Sequence, residues 1–370
     1  MKQTLKKHLI NIRGKKIKEK FLVLESDDWG AIRIPNKEVR EVLWQKGFTK
    51  KTDPFACFDA LESAQDYQAL FEVLALFKDI KGNSPILTAN FIMNNPDFDA
   101  IKNEGFQQYQ SESFLKTYQS YPGSENAWEV LQQGIQQKLI HPQFHGAEHL
   151  NVVRWMDLLQ KNDTRFKEAF ALQCYSIDDK NDQNRRANLM AAYDFSSEAE
   201  LEYIKKSIEV GLQQFHDIFG FASKTTIAPC YVWNHAVEEV MQKNKVACFQ
   251  GSYQQNIPEI GKPFQKKYRY TGQQNAQNQT YLVRNGLFEP SLNNQLDWVQ
   301  KSLESIEIAF RWGKPAIIGA HRINFVGRLD EHQRNQNLKA LKLLLEKALQ
   351  RWPEMQFVNS AQLFENMQTQ

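Results

Sequence analysis

The chain has no G-x-G-x-x-G turn after a strand-like segment and no Walker A sequence, so the common nucleotide-binding folds lack their fingerprint. Its four cysteines, Cys57, Cys174, Cys230 and Cys248, are scattered without C-x-x-C spacing. That argues against a disulfide framework and against a cysteine-held zinc, leaving reduced, packed thiols. No apolar run reaches the length of a membrane span, and no secretory apolar core follows Met1, so the expected location is cytoplasmic. Charge of one sign is scarce as well. The net charge is +3 over 370 residues, no recognition motif accompanies it, and nucleic acid is not an expected partner. The one local excess lies in the first twenty residues, with seven lysines and one arginine. A weak contact with a membrane surface or anionic polymer fits it, and so does a solvated first helix.

What is present is ordinary in bulk and specific in detail. A hydrophobic content of 42% and a charged content of 24% suit a globular protein. Short, apolar, β-rich segments recur at 21–24, 85–93, 139–144, 188–195, 225–232, 246–250, 281–288, 315–320 and 356–359. Helical spacing dominates 63–79, 128–138, 152–161, 197–219, 235–244, 295–312 and 330–351. Strands that alternate with helices pair in parallel through crossovers, and near-continuous apolar runs suit strands buried on both faces. The expectation is one α/β domain over 1–370, a β/α barrel of seven to nine strands. Long insertions at 33–58 and 95–123 and a loop or hairpin at 253–280 would sit near its C-terminal mouth, where such barrels carry function.

The polar residues that break these runs cluster at strand ends. Glu25-Ser26-Asp27-Asp28-Trp29-Gly30 follows the first run, and His141-Pro142-Gln143-Phe144-His145 follows the third. One carboxylate and two histidines four apart suit a catalytic zinc or a similar divalent ion, and the other carboxylate is left free as a base. In this reading Pro142 starts a helical turn that brings His145 round to His141. Glu148 and His149 lie just beyond, as contacts behind the ligands or to substrate, or as caps of the next helix. His321 ends a late strand, where an imidazole can serve as an acid near neutral pH. Pro229-Cys230-Tyr231 and Trp233 end another, either as a pocket wall offering N–H groups to an oxyanion or as core. Trp29, Tyr231 and Trp233 suit stacking on sugar faces, or packing.

Taken together, these motifs resemble the polysaccharide deacetylase family, carbohydrate esterases with a NodB-type domain, in order across residues 21–325. The resemblance implies a distorted (β/α)7 barrel that removes acetyl groups from N- or O-acetylated sugars with a divalent metal, usually zinc. It implies Asp27 as base, Asp28, His141 and His145 as ligands, and His321 as acid. Asp297-Trp298 matches the end of a further motif. Three positions depart from the pattern. Pro142 replaces a hydroxyl residue, Ile227 stands where the family has the arginine that orients the base, and Asn294 stands where an aspartate tunes the histidine. Arg284, Arg33, Arg322 and Glu289 are the substitutes to look for. The alternatives are a glycan-binding barrel without turnover, and a related metal hydrolase acting on a non-acetyl C–N bond.

Overall fold

The structure is a computed structural model that describes residues 2–178 and 188–369. Its main sheet begins at β1 (Phe21–Trp29), β2 (Leu87–Ile92), β3 (Ile140–Gly146), β4 (Thr225–Ile227) and β5 (Cys248–Gly251). It continues with β6 (Thr280–Val283), β7 (Gly286–Leu287), β8 (Ala316–His321) and the short β9 (Gln356–Phe357). The spatial order is β6-β5-β4-β3-β2-β1-β8-β7, with β9 beside β1 and every pairing parallel. The two ends of this path, β6 and β7, are consecutive pieces of one bent segment. Arg284 N–H donates to the Gly251 carbonyl on one side, and Asn285 N–H donates to the Ile317 carbonyl on the other. That segment joins the edges, and the result is a distorted (β/α)7 barrel.

The strands sit where the apolar runs predicted, within a few residues. One expectation fails: 188–195 forms turns. These residues mix Met, Ala and Tyr with Asn and Asp, so the apolar content reflects burial without a sheet neighbour. Helices at Ala64–Ala75, Ala127–Gln136, Glu198–Phe219, Trp298–Arg311 and Glu331–Arg351 cover the sheet. The segment 253–280, expected as a loop or hairpin, contains a hairpin, Gln254–Glu259 against Lys262–Tyr268. The basic first helix, Lys2–Ile12, packs on Trp298–Arg311, with Lys7 Nζ 2.7 Å from Glu304. No helix among the described residues is long and apolar enough to cross a membrane.

Alternation along each strand sends successive residues to opposite faces. In β1, Leu22 and Leu24 join the large core between sheet and helices. Phe21 and Val23 instead join Cys248, Leu282 and Ile317 at the barrel's lower interior, together with Leu363 and Met367 of the C-terminal helix. Above that plug the same interior face turns polar, with Glu25 and Asp27 in β1, Asn90 in β2, Gln143 in β3, Gln250 in β5 and Arg284 after β6. All are buried, and hydrogen bonds link them. Asn90 Nδ2 donates to Asp27 (2.8 Å), the Gln250 amide lies between Asn90 and Thr225, and Gln143 Oε1 accepts from Thr225 N–H (2.7 Å). Ser360, at the start of the C-terminal helix, donates its hydroxyl to Glu25 (2.7 Å). The barrel is thus oily below and hydrogen-bonded above, with its charged layer at the mouth.

Gly319 makes that layer fit. It is paired with Glu25 across β8 and β1, and a Cβ there would lie 2.4 Å from Arg284 Cδ. Gly319→Ala should therefore destabilise the fold by about 1–3 kcal/mol through overpacking, read as a lower urea midpoint with unchanged m-value.

Candidate metal and acid–base site

Three ligand atoms converge at the mouth of β1 and β3. Asp28, His145 and His149 place donor atoms within 4.8 Å of one another, and all three residues are buried. Both imidazole Nε2 atoms stand 3.2 Å from Asp28 Oδ1. His145 Nδ1 donates to the Ile227 carbonyl at 2.7 Å, since a carbonyl only accepts. Its Nε2 faces a carboxylate oxygen of Asp28 at 3.2 Å. Burial pushes His149 down to about 4 despite Asp28, so it is neutral at ordinary pH. Two imidazole nitrogens and one carboxylate turned toward one another form a donor set that suits a divalent cation. His149 Nδ1 is buried and has no hydrogen-bond partner among the described residues.

The sequence reading chose the wrong H-x3-H. His141 is the second residue of β3, pairs with Thr88, stacks on Phe221 and bonds to Gln143. Pro142 continues the strand instead of starting a turn, and in extended chain residues four apart lie about 13 Å from each other. His141 and His145 therefore cannot grip one ion. The second H-x3-H, His145-Gly146-Ala147-Glu148-His149, contains the end of the strand. Gly146 takes φ 144°, a value that L side chains rarely adopt, and the chain folds His149 back beside His145, ring centroids 5.0 Å apart. Asp28 itself adopts φ 77°. Such strain persists only where surroundings enforce it.

Asp27 is set apart from the ligand group by its partners. Arg284 grips it at 2.6 and 2.7 Å with two Nη atoms, and reaches Glu25 with Nε at 2.6 Å. Burial would raise the Asp27 carboxyl, but Arg284, His145 and His321 outweigh it and bring it to about 2. Asp28 is likewise held well below the carboxylate range against its burial, by His149 and Arg33. His321 Nδ1 bonds Glu289 at 2.6 Å, and its Nε2 stands 3.9 Å from Asp27 Oδ2. Burial lowers the imidazole, but Glu289 and the two aspartates raise it to about 9, so it is cationic at neutral pH. Arg284 and Glu289, two of the residues looked for as substitutes, thus hold Asp27 and His321. Sequence could not single them out, because each reaches its partner from a different strand exit.

These groups open into a pocket of about 560 Å³. Phe55 forms one wall, edge-on to His321 at 5.3 Å, and Tyr231 forms another, its hydroxyl 3.4 Å from Arg284. Cys230 and Tyr231 both take left-handed backbone, φ 54° and 57°. The Tyr231 N–H is spent on the Ala228 carbonyl, whereas the Cys230 N–H has no hydrogen-bond partner among the described residues. The other expected contacts lie elsewhere. Trp29 is buried against Tyr67, and Trp233 against Phe249. Pro229 is buried at the start of a short 3-10 turn. Glu148 turns away to Ser207, and burial raises it to about 7. Asp297 caps the helix Trp298–Arg311, and Arg322 is saturated by Asp59, Glu62 and the Ala31 carbonyl.

Two outcomes check this geometry. His145→Ala and His149→Ala should each abolish tight zinc binding in equilibrium dialysis, and His141→Ala should leave it intact; equal losses in all three would contradict the ligand set. Separately, His321 titrates near 9 in the fold against about 6.5 unfolded. Its contribution to stability is complete below pH 6.5 and is lost as pH rises to 9. Urea midpoints of metal-free protein should fall across that window, and in His321→Gln the fall should be smaller.

No protein-family model matches the chain, and no curated protein matches it by sequence. Solved structures do. A putative glycoside hydrolase/deacetylase from Parabacteroides distasonis is 10% identical, covering 96% of this chain and 73% of that one, with TM-score 0.49. A probable polysaccharide deacetylase from Pseudomonas aeruginosa PAO1 is 10% identical over 95% and 91%, with TM-score 0.46. A 4-alpha-glucanotransferase from Thermococcus litoralis is 9% identical, covering 94% of this chain, which spans 40% of that protein; the TM-score is 0.45. The chain is similar to these proteins over most of its length, at scores too low to carry an argument about its reaction.

Proposed function

We propose that the protein is a metal-dependent hydrolase that removes acetyl groups from an N- or O-acetylated carbohydrate, with zinc on Asp28, His145 and His149. One observation carries this reading. A three-donor cation site lies in the same pocket as a carboxylate held ionised by Arg284 and an imidazole held protonated by Glu289. A base and an acid kept in opposite protonation states by separate partners are what acyl hydrolysis requires. The carbohydrate rests on the motif resemblance, and Phe55 and Tyr231 supply aromatic walls that suit it.

When bound, the divalent ion supplies a positive centre that acidifies water and polarises an acyl oxygen. The chain's own residues do the rest. Asp27, fixed by Arg284 and Asn90, takes a proton from the attacking water while its oxygen bonds to the acyl carbon. The Cys230 N–H faces the oxygen that gains charge. His321 Nε2–H gives its proton to the departing nitrogen or oxygen as the bond to the acyl carbon breaks. Acid and amine or alcohol leave, and the proton on Asp27 restores His321 through solvent. The reason to favour a non-catalytic barrel was a missing outer shell, and Arg284 and Glu289 supply one.

The test is acetate release from N- and O-acetylated oligosaccharides by zinc-loaded protein. Asp27→Asn should lower turnover by about 10²–10⁴-fold with zinc content unchanged. A zinc-loaded wild type that frees no acetate from a broad panel would overturn the reading.

A further inference from the structure

Three buried arginines surround the charged layer, and two of them are saturated. Arg284 spends its guanidinium on Glu25 and Asp27, and Arg322 on Asp59, Glu62 and the Ala31 carbonyl. Arg33 differs. Its Nη2 donates to Asp28 Oδ2 at 3.2 Å, across the carboxylate from the histidines. Its Nε stands 3.3 Å from Asp59 Oδ2 without a hydrogen-bonding angle, and both atoms are buried with no hydrogen-bond partner. The residue is 7% exposed and lines the pocket, with Phe55 packed against the guanidinium at 5.3 Å. Nε thus faces Asp59, and Nη1, which makes no hydrogen bond among the described residues, is the donor left for a ligand; a buried cation with an unspent donor is costly unless something engages it.

Its neighbours say which kind of ligand. Cys230, whose backbone N–H is open, lies in the same wall, close enough that Arg33 is the main charge acting on its thiol. Asp27 and His321 line the same pocket. Asp53 and Asp178 line the same pocket and repel each other, which together with burial raises Asp178. A substrate with a permanent negative charge meets that repulsion. A neutral acyl group does not, and acquires negative charge only on attack.

Building on the hydrolase reading above, we propose that Arg33 is a further catalytic residue, whose guanidinium joins the Cys230 N–H in stabilising the oxyanion formed on the acyl oxygen. As the water oxygen bonds to the acyl carbon and its proton passes to Asp27, the carbonyl π pair moves onto that oxygen. Arg33 donates to it there. When the pair returns, the carbon–nitrogen or carbon–oxygen bond breaks and His321 protonates the leaving group. Donors placed where charge develops act on turnover more than on substrate binding.

The experiment compares wild type, Arg33→Gln and Arg33→Lys as zinc-loaded protein. Three quantities are read: kcat and KM on an N-acetylated oligosaccharide, the dissociation constant of a methylphosphonamidate analogue of the tetrahedral state, and zinc affinity by chelator competition. Arg33→Gln should lose about 10²–10³-fold in kcat with KM unchanged. It should lose analogue affinity in step, while zinc affinity holds or rises because a nearby positive charge is gone. Arg33→Lys should recover part of both losses. Unchanged kcat and analogue binding in Arg33→Gln would overturn the proposal while leaving the hydrolase reading in place. A loss confined to KM would make Arg33 an anchor for a substrate anion, and a matching loss of zinc affinity would reduce it to a positioning residue for Asp28. Either result also overturns it. A wild type inactive on every acetylated sugar overturns both readings together.

Discussion

The ion cluster of Arg284 with Glu25 and Asp27 sets the terms for the upper barrel. Two carboxylates at the same face of one strand, two residues apart, repel each other and lose hydration when buried. A guanidinium with five donors in a planar fork answers both at once. Around it the interior residues are hydrogen-bonded amides and hydroxyls, Asn90, Gln250, Gln143 and Thr225, which satisfy the remaining lone pairs. Gly319 gives up a side chain so that the arginine can pass. Burial still raises Glu25, even with Arg284 and Ser360 beside it. The cluster is therefore better understood as holding Asp27 in one orientation than as a source of net stability.

A single dipeptide, Asp27-Asp28, feeds two environments. Alternation of the strand sends Asp27 inward to Arg284, and the left-handed turn at Asp28 sends its carboxylate to the histidines and Arg33. Adjacent residues of the same type thus acquire different work from different neighbours. The pair His145 and His321 shows the same division. The first is oriented toward Asp28 by its bond to a backbone carbonyl, and the second is kept cationic by Glu289.

Much of this was legible in the amino-acid order, and the failures have a common cause. Strand ends announced themselves because apolar runs stopped at charged pairs, which is why Asp27, Asp28, His145 and His321, which line one pocket, were singled out. His141 was misread because a proline after it suggested a turn, yet Pro142 lies within β3, where its missing N–H is tolerated. His149 was noticed but ranked behind, since nothing in sequence shows that Gly146 reverses the chain. Arg284 and Glu289 were named among several substitutes and could not be chosen, because their partners are set by barrel closure. The tryptophans were assigned to sugar stacking or core on composition alone, and Trp29 and Trp233 proved to be core. The polar interior was hidden by strands whose outward faces supply most of their apolar residues.

Arg284 lies 259 residues after Glu25. In a chain that emerges from the ribosome N-terminus first, the first strand is made long before the cation that neutralises it. Until residues 280–287 arrive, the upper half of β1 keeps its carboxylates in water or protonated, and only its lower half can join a core. The segment that later bridges β5 and β8 brings the missing charge with it. Closing the seam and neutralising the upper strand are therefore one event, placed late in the life of the nascent chain, and an incomplete barrel has nothing to hold Asp27 in one orientation.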